Sequence, residues 1–188
     1  MSYFPAFITL KNKKILIIGA GYVAYEKLEH LLDFTENISI ISQDFTEQMT
    51  ELIQKYSLES VERSYQVGDI KNFDVVIIAV DDIPLQAKIY EEARQYRCLC
   101  NAVDSVKYCD FIFPSYIKKG DLTIAVSTSG ASPALAKQLR IYLQKLIPEN
   151  ISSFLIEMKS LRKNLPKGKE RMHLLEDKAK TYIKKLGK

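Results

Sequence analysis

Apolar runs and segments with helical spacing alternate along the first hundred residues. The runs at 14–19 and 74–80 are apolar at nearly every position, which is typical of strands buried on both faces of a parallel sheet. Further strands are predicted at 37–42, 58–64 and 98–103, and helices at 23–33, 45–56 and 84–96. Strands that alternate with helices predict an α/β fold with a doubly wound, Rossmann-type parallel sheet.

The pattern changes after Asp104. Two strands are predicted at 111–114 and 122–127, joined by a polar turn at 118–120. A helix is predicted from Pro133 to about residue 147, with Ser132 as its N-cap and proline at its first position. A helical tail follows and is interrupted at 166–168.

These elements predict three segments: an NAD-binding Rossmann domain at 1–113, a small α+β dimerisation segment at 114–147, and a basic helical C-terminal domain at 148–188. One strand pair and one helix cannot cover their own apolar faces. We therefore expect the middle segment to pack against a second copy of the chain, as a homodimer.

Composition and charge refine this view. No stretch has the roughly 20 consecutive apolar residues that span a bilayer, and the N-terminus does not look like a secretory signal, so we expect a cytoplasmic protein with no membrane partner. Residues 159–188 hold 11 basic and 3 acidic side chains within a chain of net charge +4. Such a tail attracts polyanions or is a solvated helix face; we do not expect nucleic acid as its partner.

The cysteines and histidines do not predict a metal site. Cys98, Cys100 and Cys109 are odd in number, and their spacing fits neither a disulfide framework nor a zinc site. We expect them to be small buried hydrophobic residues. His30 and His173 lie away from the expected cofactor cleft, so neither is expected to act as catalyst or ligand.

A glycine motif follows the first strand. The segment from Gly19 to Ala24 reads Gly-Ala-Gly-Tyr-Val-Ala and fits the G-x-G-x-x-G/A dinucleotide fingerprint. Gly19 permits the tight turn, Gly21 lets the backbone approach a pyrophosphate, and Ala24 lets the helix pack on the strand. The pyrophosphate is expected at the helix N-terminus.

The residues after the second strand bear on cofactor choice. An acidic residue usually grips the adenine ribose there, whereas this chain has Ser42, Gln43 and Asp44. Asp44 either reaches the ribose or caps the helix expected to begin at Phe45. Nothing at this point forms an arginine pocket for a 2′-phosphate, so we expect NAD in preference to NADP.

The catalytic candidates follow the later strands, because ligands of open α/β sheets bind beyond the carboxyl ends of the strands. Asp81 and Asp82 precede a helix and are favoured as capping residues. Asp104 precedes no predicted helix, so its carboxylate is a candidate to accept a proton from substrate. The hydroxyl-rich loop at 127–133 either hydrogen-bonds an anionic ligand or merely caps the next helix.

Several blocks in a fixed order resemble the precorrin-2 dehydrogenase family, the oxidase/ferrochelatase part of sirohaem synthases. They are Phe4-Pro5, Ile18-Gly-Ala-Gly-Tyr-Val-Ala24, Ala79-Val-Asp-Asp82, Asn101-Ala-Val-Asp104, Phe111-Ile-Phe-Pro-Ser115 and Ile124-Ala-Val-Ser-Thr-Ser-Gly-Ala-Ser-Pro133. The chain departs from the usual family pattern at Val80, Thr128 and Ser129, which replace threonine, serine and glycine.

The resemblance implies NAD-dependent oxidation of precorrin-2 to sirohydrochlorin, with the tetrapyrrole and, if the chain also inserts iron, Fe2+ as substrates. It implies Asp104 as the catalytic acid/base and a dimer interlocked through residues 114–147. It matches Tyr22, Val23, Gln43 and Asp44 to cofactor-contacting positions. The full set of predicted cofactor contacts is Gly19, Gly21, Tyr22, Val23, Ser42, Gln43, Asp44 and Val80, and the predicted substrate contacts are Asn101, Ser127, Thr128, Ser129 and Gly130. The basic tail then gains a candidate partner in the polycarboxylate substrate.

Two other functions stay open at this point. One is a Rossmann regulatory module that senses NAD or NADH without catalysis. The other is a chelatase that inserts metal into sirohydrochlorin and retains only a vestigial cofactor site. Neither the presence of chelatase activity nor its metal follows from the sequence.

Overall fold

The computed structural model describes residues 3–186, which divide into two compact units at 3–112 and 113–186. The first unit consists of β1 (Ile15–Ile18), α1 (Tyr22–Leu32), β2 (Ile38–Ser42), α2 (Glu47–Tyr56), β3 (Glu59–Glu62), β4 (Val75–Ile78), α3 (Ile83–Tyr96), β5 (Leu99–Ala102) and a 3-10 turn (Val106–Tyr108). All strand pairs are parallel, in the order β3-β2-β1-β4-β5. The predicted Rossmann-type sheet is confirmed.

The two central strands explain the apolar runs. Every residue of β1 and β4 is buried, and Ile15 pairs with Ile38 on one side and with Val75 on the other. Leu16, Val76 and Cys100 share one cluster with residues of α3. Because successive side chains point to opposite faces, their neighbours along the strands line the other face. Both faces of the sheet are therefore covered.

The helix starts show which polar residues act as caps. The Asp82 carboxylate accepts a hydrogen bond from the backbone N–H of Leu85 at 2.9 Å, as predicted for α3. The expectation that Asp44 caps a helix beginning at Phe45 is wrong. Helix α2 begins at Glu47, and Thr46 is its cap because the Thr46 hydroxyl accepts from the Met49 N–H.

The second unit is a hairpin followed by helices. It contains β6 (Ser115–Lys119), antiparallel to β7 (Leu122–Val126), then α4 (Pro133–Leu146), α5 (Ile151–Asn164) and α6 (Lys169–Leu186). Ser132 caps α4 through the Leu135 N–H, and the tail is broken between α5 and α6, both as predicted. The Phe154 and Tyr182 rings stack at 4.0 Å between α5 and α6. A domain boundary near residue 147 stays a prediction.

The predicted strand at 111–114 is wrong. These residues are irregular, and the hairpin strand begins at Ser115. The Phe111 carbonyl accepts a hydrogen bond from the Asn101 side chain at 2.8 Å, and the Asp110 N–H donates to the Cys100 carbonyl. The start of this segment is thereby bound to β5. The hairpin turn lies at Gly120, which has φ of +56°. The predicted turn at 118–120 therefore began too early, because β6 extends to Lys119.

Helix α4 has an exposed apolar stripe. Leu135, Leu139, Tyr142 and Leu146 recur at helical spacing, and each is at least 40% exposed. Ala136 on the same helix is buried, so α4 packs on its own unit through a different face. Within residues 3–186, no helix has the length and apolar character needed to cross a membrane.

Candidate dinucleotide and substrate site

The carboxyl edge of the sheet brings most of the predicted site residues into one row. At this edge, the first N–H beyond each strand donates to the neighbouring strand: Arg63 to the Ser42 carbonyl, Gly19 to Ile41, Ala79 to Ile18 and Val103 to Ile78. The residues that follow β3, β1, β4 and β5 therefore lie side by side. Because adjacent strands are about 4.8 Å apart, the Gly19 turn and the end of β5 are about 10 Å apart.

The two glycines of the fingerprint differ in what surrounds them. Gly19 has φ of +104°, and a Cβ there would lie 2.3 Å from the Ala79 carbonyl oxygen and 3.2 Å from Val80. Only glycine permits this approach of β1 to β4. A Cβ on Gly21 would meet no atom within 4 Å. The space above Gly21 is open, as a backbone that approaches a pyrophosphate requires.

The N-terminus of α1 also fits an anionic ligand. Its N-cap is Gly21, which has no side chain to cap the first N–H groups, and no acidic residue lies in the first turn. Helices α2, α3 and α4 each have a side-chain cap. The Thr46 hydroxyl donates to the Ala20 carbonyl at 3.2 Å and so ties the glycine turn to the start of α2. The uncapped N–H groups suit the pyrophosphate of a dinucleotide.

The predicted ribose end lies beyond β2. Tyr22 and Val23 are exposed beside the turn. The Ser42 hydroxyl donates to the Asp44 carbonyl at 2.7 Å, and Gln43 donates to the Ser64 hydroxyl at 2.5 Å. The Asp44 side chain is exposed. The ribose contact of Asp44 stays a prediction, since only its capping alternative has been excluded.

Sequence reasoning missed an arginine at this end of the sheet. Arg63 follows β3, and its N–H donates to the Ser42 carbonyl at 2.8 Å, so its backbone is adjacent to the predicted ribose position. Its guanidinium is paired with Asp69. Twenty residues separate Ser42 from Arg63, and the parallel pairing of β2 with β3 makes them neighbours.

Asp104 lies in a tight turn beyond β5. The residue is exposed and has φ of +58°, a left-handed conformation that is uncommon for residues other than glycine. The Cys109 thiol lies beneath this turn, and it donates to the Ala102 carbonyl at 3.1 Å and to the Ser105 carbonyl at 3.4 Å. The turn therefore places Asp104 at the same edge of the sheet as the glycine turn.

Gln86 is a second residue that sequence reasoning missed. It is 2% exposed, and its amide N–H2 donates to the Val80 carbonyl at 2.9 Å and to the Val103 carbonyl at 3.2 Å. One side chain on α3 thereby joins the segment after β4 to the segment that carries Asp104. A signal was present, because Gln86 is a polar residue in helical register with the buried Ile89 and Ala93.

A half-buried cation faces Asp104 from α1. Burial lowers the pKa of Lys27, and the charges of Glu26 and Asp104 act in the opposite direction. Because such an effect requires proximity, the ammonium of Lys27 contributes positive potential around the Asp104 carboxylate. The carboxyl edge therefore has a cation, a carboxylate and an uncapped helix N-terminus.

Asn101 and the cysteines have structural contacts. The Asn101 side chain is buried and donates to the Phe111 carbonyl and to the Cys109 sulfur. Its substrate contact stays a prediction. The cysteines are free, as expected, and burial raises the pKa of Cys98 to about 12. Within the part of the chain that the structure describes, no three His, Cys, Asp or Glu side chains form a cluster that could hold a metal ion.

The hydroxyl-rich loop of the second unit is organised by its own side chains. The Ser127 hydroxyl accepts from the Ser129 N–H, and the Thr128 hydroxyl accepts from the Ser132 N–H, both at 3.0 Å. Ser129 and Gly130 have φ of +52° and +85°. The predicted capping by Ser132 is confirmed. Contact of the loop with an anionic substrate stays a prediction.

Two family models match the chain in succession. An NAD(P)-binding family matches residues 6–115, and a family described as "Sirohaem biosynthesis protein central" matches residues 119–143. The first match includes the glycine turn and Asp104. The second begins in β6 and ends within α4.

Similar proteins agree with these matches. The chain is 32% identical to a siroheme synthase of Actinobacillus pleuropneumoniae over 153 residues and 36% identical to siroheme synthase 1 of Serratia proteamaculans over 151 residues. These alignments cover 81% and 80% of the chain, which spans about a third (32%) of the length of each relative. The solved structure of SirC, precorrin-2 dehydrogenase, is similar with a TM-score of 0.76 at 22% identity, over 93% of this chain and 88% of that one. The predicted resemblance is confirmed.

Proposed function

We propose that this chain, which belongs to the NAD(P)-binding family that matches residues 6–115, is an NAD-dependent dehydrogenase of precorrin-2 that yields sirohydrochlorin. One observation carries the proposal. The dinucleotide turn at Gly19 and the carboxylate-bearing turn at Asp104 lie on one edge of one sheet, two strands apart. A dinucleotide held on the first turn therefore leaves Asp104 beside the position where a substrate meets it.

Different segments of this chain bind different parts of the cofactor. The N–H groups at the start of α1 hold the pyrophosphate, and the open space above Gly21 admits it. Tyr22, Val23 and Val80 border the turn, and the segment from Ser42 to Asp44 receives the ribose. NAD, when bound, accepts two electrons and one proton from the substrate as a hydride.

Asp104 has the proton-transfer role. Dehydrogenation removes a hydride from one atom of the macrocycle and a proton from the next, and the Asp104 carboxylate accepts that proton. Gln86 and Cys109 hold the turn in which Asp104 lies. The Lys27 ammonium nearby contributes positive potential around this carboxylate.

The charge of the chain fits an anionic macrocycle. Precorrin-2 is a polycarboxylate, and residues 159–188 have a large excess of basic over acidic side chains. Helix α6, from Lys169 to Leu186, contains six of those basic residues and all three acidic ones, so the excess is spread over the whole segment. Long-range attraction of this kind raises the local concentration of an oppositely charged ligand. The loop at 127–130 supplies hydroxyls for its carboxylates.

A homodimer is the second part of the proposal. The stripe formed by Leu135, Leu139, Tyr142 and Leu146 is the type of apolar surface that a subunit interface covers. It lies within residues 114–147, the segment that the resemblance implies in the dimer. A second copy of the chain presents the same stripe, so a two-fold interface can bury both.

Replacement of Asp104 tests the chemistry. The variant Asp104→Asn retains the shape of the side chain and loses the base, so NADH formation from freshly prepared precorrin-2 should fall by about 100-fold or more. Asp81→Asn removes an exposed carboxylate at the same edge and serves as the matched control, with turnover close to wild type. Full turnover in a folded Asp104→Asn variant would exclude the proposed role.

The same assay separates the dehydrogenase from a sensor. Wild-type protein that binds NADH tightly but leaves precorrin-2 unchanged in the presence of NAD would be a regulatory module. Iron insertion is tested apart from oxidation, by addition of Fe2+ to sirohydrochlorin without any dinucleotide. Sirohaem formation in that mixture would establish chelatase activity, and its rate in Asp104→Asn would show whether one carboxylate serves both steps.

A further inference from the structure

The loop after β3 approaches the predicted ribose position from the neighbouring strand. The Arg63 N–H donates to the Ser42 carbonyl at 2.8 Å, and the Gln43 amide donates to the Ser64 hydroxyl at 2.5 Å. Two successive residues of this loop are therefore bound to the segment in which the adenine ribose is expected. An arginine here lies within side-chain reach of a 2′-substituent on that ribose.

Three of the five N–H donors of the Arg63 guanidinium are engaged within its own loop. One terminal nitrogen donates to Asp69 Oδ2 at 2.7 Å and to the Ser64 carbonyl at 2.9 Å, and the other donates to Asp69 Oδ1 at 2.8 Å. This is a bidentate arginine–carboxylate pair, the strongest common geometry for such a contact. The carboxylate neutralises the guanidinium and occupies the pair of donors formed by its two terminal nitrogens.

Asp69 is itself held in place. Its Oδ2 also accepts from the Gln66 N–H at 2.8 Å. Burial of Asp69 opposes ionisation, but the hydrogen bonds from Arg63 and Gln66 outweigh it and hold the pKa of this carboxyl below its usual value. Asp69 is therefore charged at neutral pH. The pair is fixed before any cofactor arrives.

A buried carboxylate on α3 fixes the same loop. Glu92 is 7% exposed and accepts hydrogen bonds from the Tyr65 hydroxyl and from the Gly68 N–H, both at 2.7 Å. The loop from Arg63 to Asp69 is thus attached to the body of the first unit at its middle as well as at its ends. These contacts hold in place the loop that carries both members of the Arg63–Asp69 pair.

NADP differs from NAD only in a phosphate on the adenine ribose, and arginine is the side chain best suited to bind it. We propose that Asp69 determines the cofactor selectivity of this chain by holding and neutralising Arg63 in a pair with which a 2′-phosphate would have to compete. The chain then has an arginine of the kind that binds the 2′-phosphate of NADP, but the ion pair with Asp69 keeps it from making that contact. This inference rests on the dinucleotide binding in the proposed function, and it assigns the choice between NAD and NADP to one ion pair.

The experiment measures binding of NADH and NADPH by fluorescence, without any tetrapyrrole. Wild-type protein should bind NADH at least about tenfold more tightly than NADPH. Asp69→Asn still offers an oxygen to the Gln66 N–H but releases the guanidinium, so NADPH affinity should rise about tenfold while NADH affinity changes less than about twofold. Asp69→Ser, with a hydroxyl acceptor for the same N–H, is a second variant in case Asp69→Asn does not fold.

Two controls isolate Arg63. In the double variant Asp69→Asn with Arg63→Met, the gain in NADPH affinity should disappear. Asp74→Asn removes one carboxylate from the Lys13–Asp74 pair at the opposite edge of the sheet and should change neither affinity. A gain that persists in the double variant would show that loss of negative charge alone is responsible and would overturn the role of Arg63.

The remaining outcomes distinguish this inference from the proposed function. If wild-type protein binds neither reduced dinucleotide, the proposed function fails. If wild-type protein binds NADH selectively and neither folded Asp69 variant gains NADPH affinity, the function stands and the role of Asp69 is wrong. If Arg63→Met alone weakens NADPH binding to the wild-type chain, Arg63 is already available, and the inference is again wrong.

Discussion

The two units of the molecule bury their apolar residues to very different extents. In residues 3–112 the central strands are buried on both sides, and α1, α2 and α3 each contribute fully buried side chains. Among the described residues of the second unit, only Ile117 and Ala136 are comparably buried. The same unit exposes the stripe along α4 that includes Leu139 and Tyr142.

This difference indicates a difference in independence. A sheet with both faces covered obtains its stability from its own core, since each buried aliphatic side chain contributes about 1.5–3 kcal/mol. The second unit consists of a hairpin and three helices, and the apolar stripe of α4 is exposed. A single chain therefore does not gain the stabilisation that burial of those side chains would contribute. The first unit therefore has a core of its own, and the second unit exposes the apolar stripe that the proposed homodimer would cover.

The largest effect should come from the glycine that closes the first unit. Gly19→Val places a Cβ 2.3 Å from the Ala79 carbonyl in a backbone conformation with φ of +104°. Overpacking and backbone strain together should cost about 4 kcal/mol or more, enough to unfold much of the unit. Thermal unfolding followed by circular dichroism measures this loss.

Gly21→Val is its control, because a Cβ there meets no atom within 4 Å. Its melting temperature should lie within about 3 °C of wild type, while NADH binding weakens at least about tenfold because the side chain enters the space for the pyrophosphate. Equal melting temperatures for the two variants would contradict the different roles assigned to these glycines.

The next effect concerns assembly. Leu139→Asp places a charge in the middle of the α4 stripe, and burial of an unpaired charge should raise the dimer dissociation constant about 100-fold. Sedimentation velocity measures the constant. Gln144→Asp adds the same charge on the opposite side of α4 and should leave the dimer intact. A wild-type chain that sediments as a monomer, or an unaffected Leu139→Asp dimer, would show that the stripe has another function.

A smaller effect should follow from loss of the Gln86 bridge. Gln86→Met removes the donors to the Val80 and Val103 carbonyls and should lower the free energy of unfolding by about 2 kcal/mol. Because the Asp104 turn is loosened, turnover should also fall about tenfold. Glu92→Gln, also at a buried position of the same helix, should lower stability without this loss of turnover at saturating NAD. A Gln86→Met variant with unchanged turnover would reduce Gln86 to a stability role.

The smallest effect is expected in the rate at which the cysteine thiols are modified. This rate reports on the first unit alone, because every cysteine lies there. Burial raises the pKa of Cys98 to about 12, so at pH 8 very little of this thiol is in the reactive thiolate form. Native protein should leave Cys98 and Cys100 unmodified, and the half-buried Cys109 should react first, as measured by mass spectrometry. Leu139→Asp should not accelerate Cys98 modification if the first unit is self-contained.

Much of the first unit was predictable from local sequence. The apolar runs identified β1 and β4 because a strand buried on both faces has no polar positions to confuse the pattern. The hairpin was harder. The segment at 111–114 is as apolar as a strand, but its first carbonyl is bound by the Asn101 side chain, a contact between residues ten positions apart that no local pattern reveals.

The candidate site divides in the same way. Gly19, Gly21 and Asp104 follow directly after strands, so their shared edge could be predicted from the βαβ order alone. The roles of Thr46, Gln86 and Arg63 could not be predicted in this way, because each residue acts through a contact with another strand or turn. Thr46 replaced Asp44 as the helix cap, and only the observed start of α2 distinguished the two neighbours.

The sequence by itself determined the parallel sheet, the dinucleotide turn and the position of a carboxylate beyond β5, since periodicity and glycine spacing are local properties of the chain. The tertiary structure alone decided which polar groups meet across the sheet edge. Parallel pairing places Arg63 next to Ser42, and packing of α3 brings Gln86 to two strand ends at once. Hydrogen bonds between distant residues depend on register and packing, and neither is encoded in any single segment.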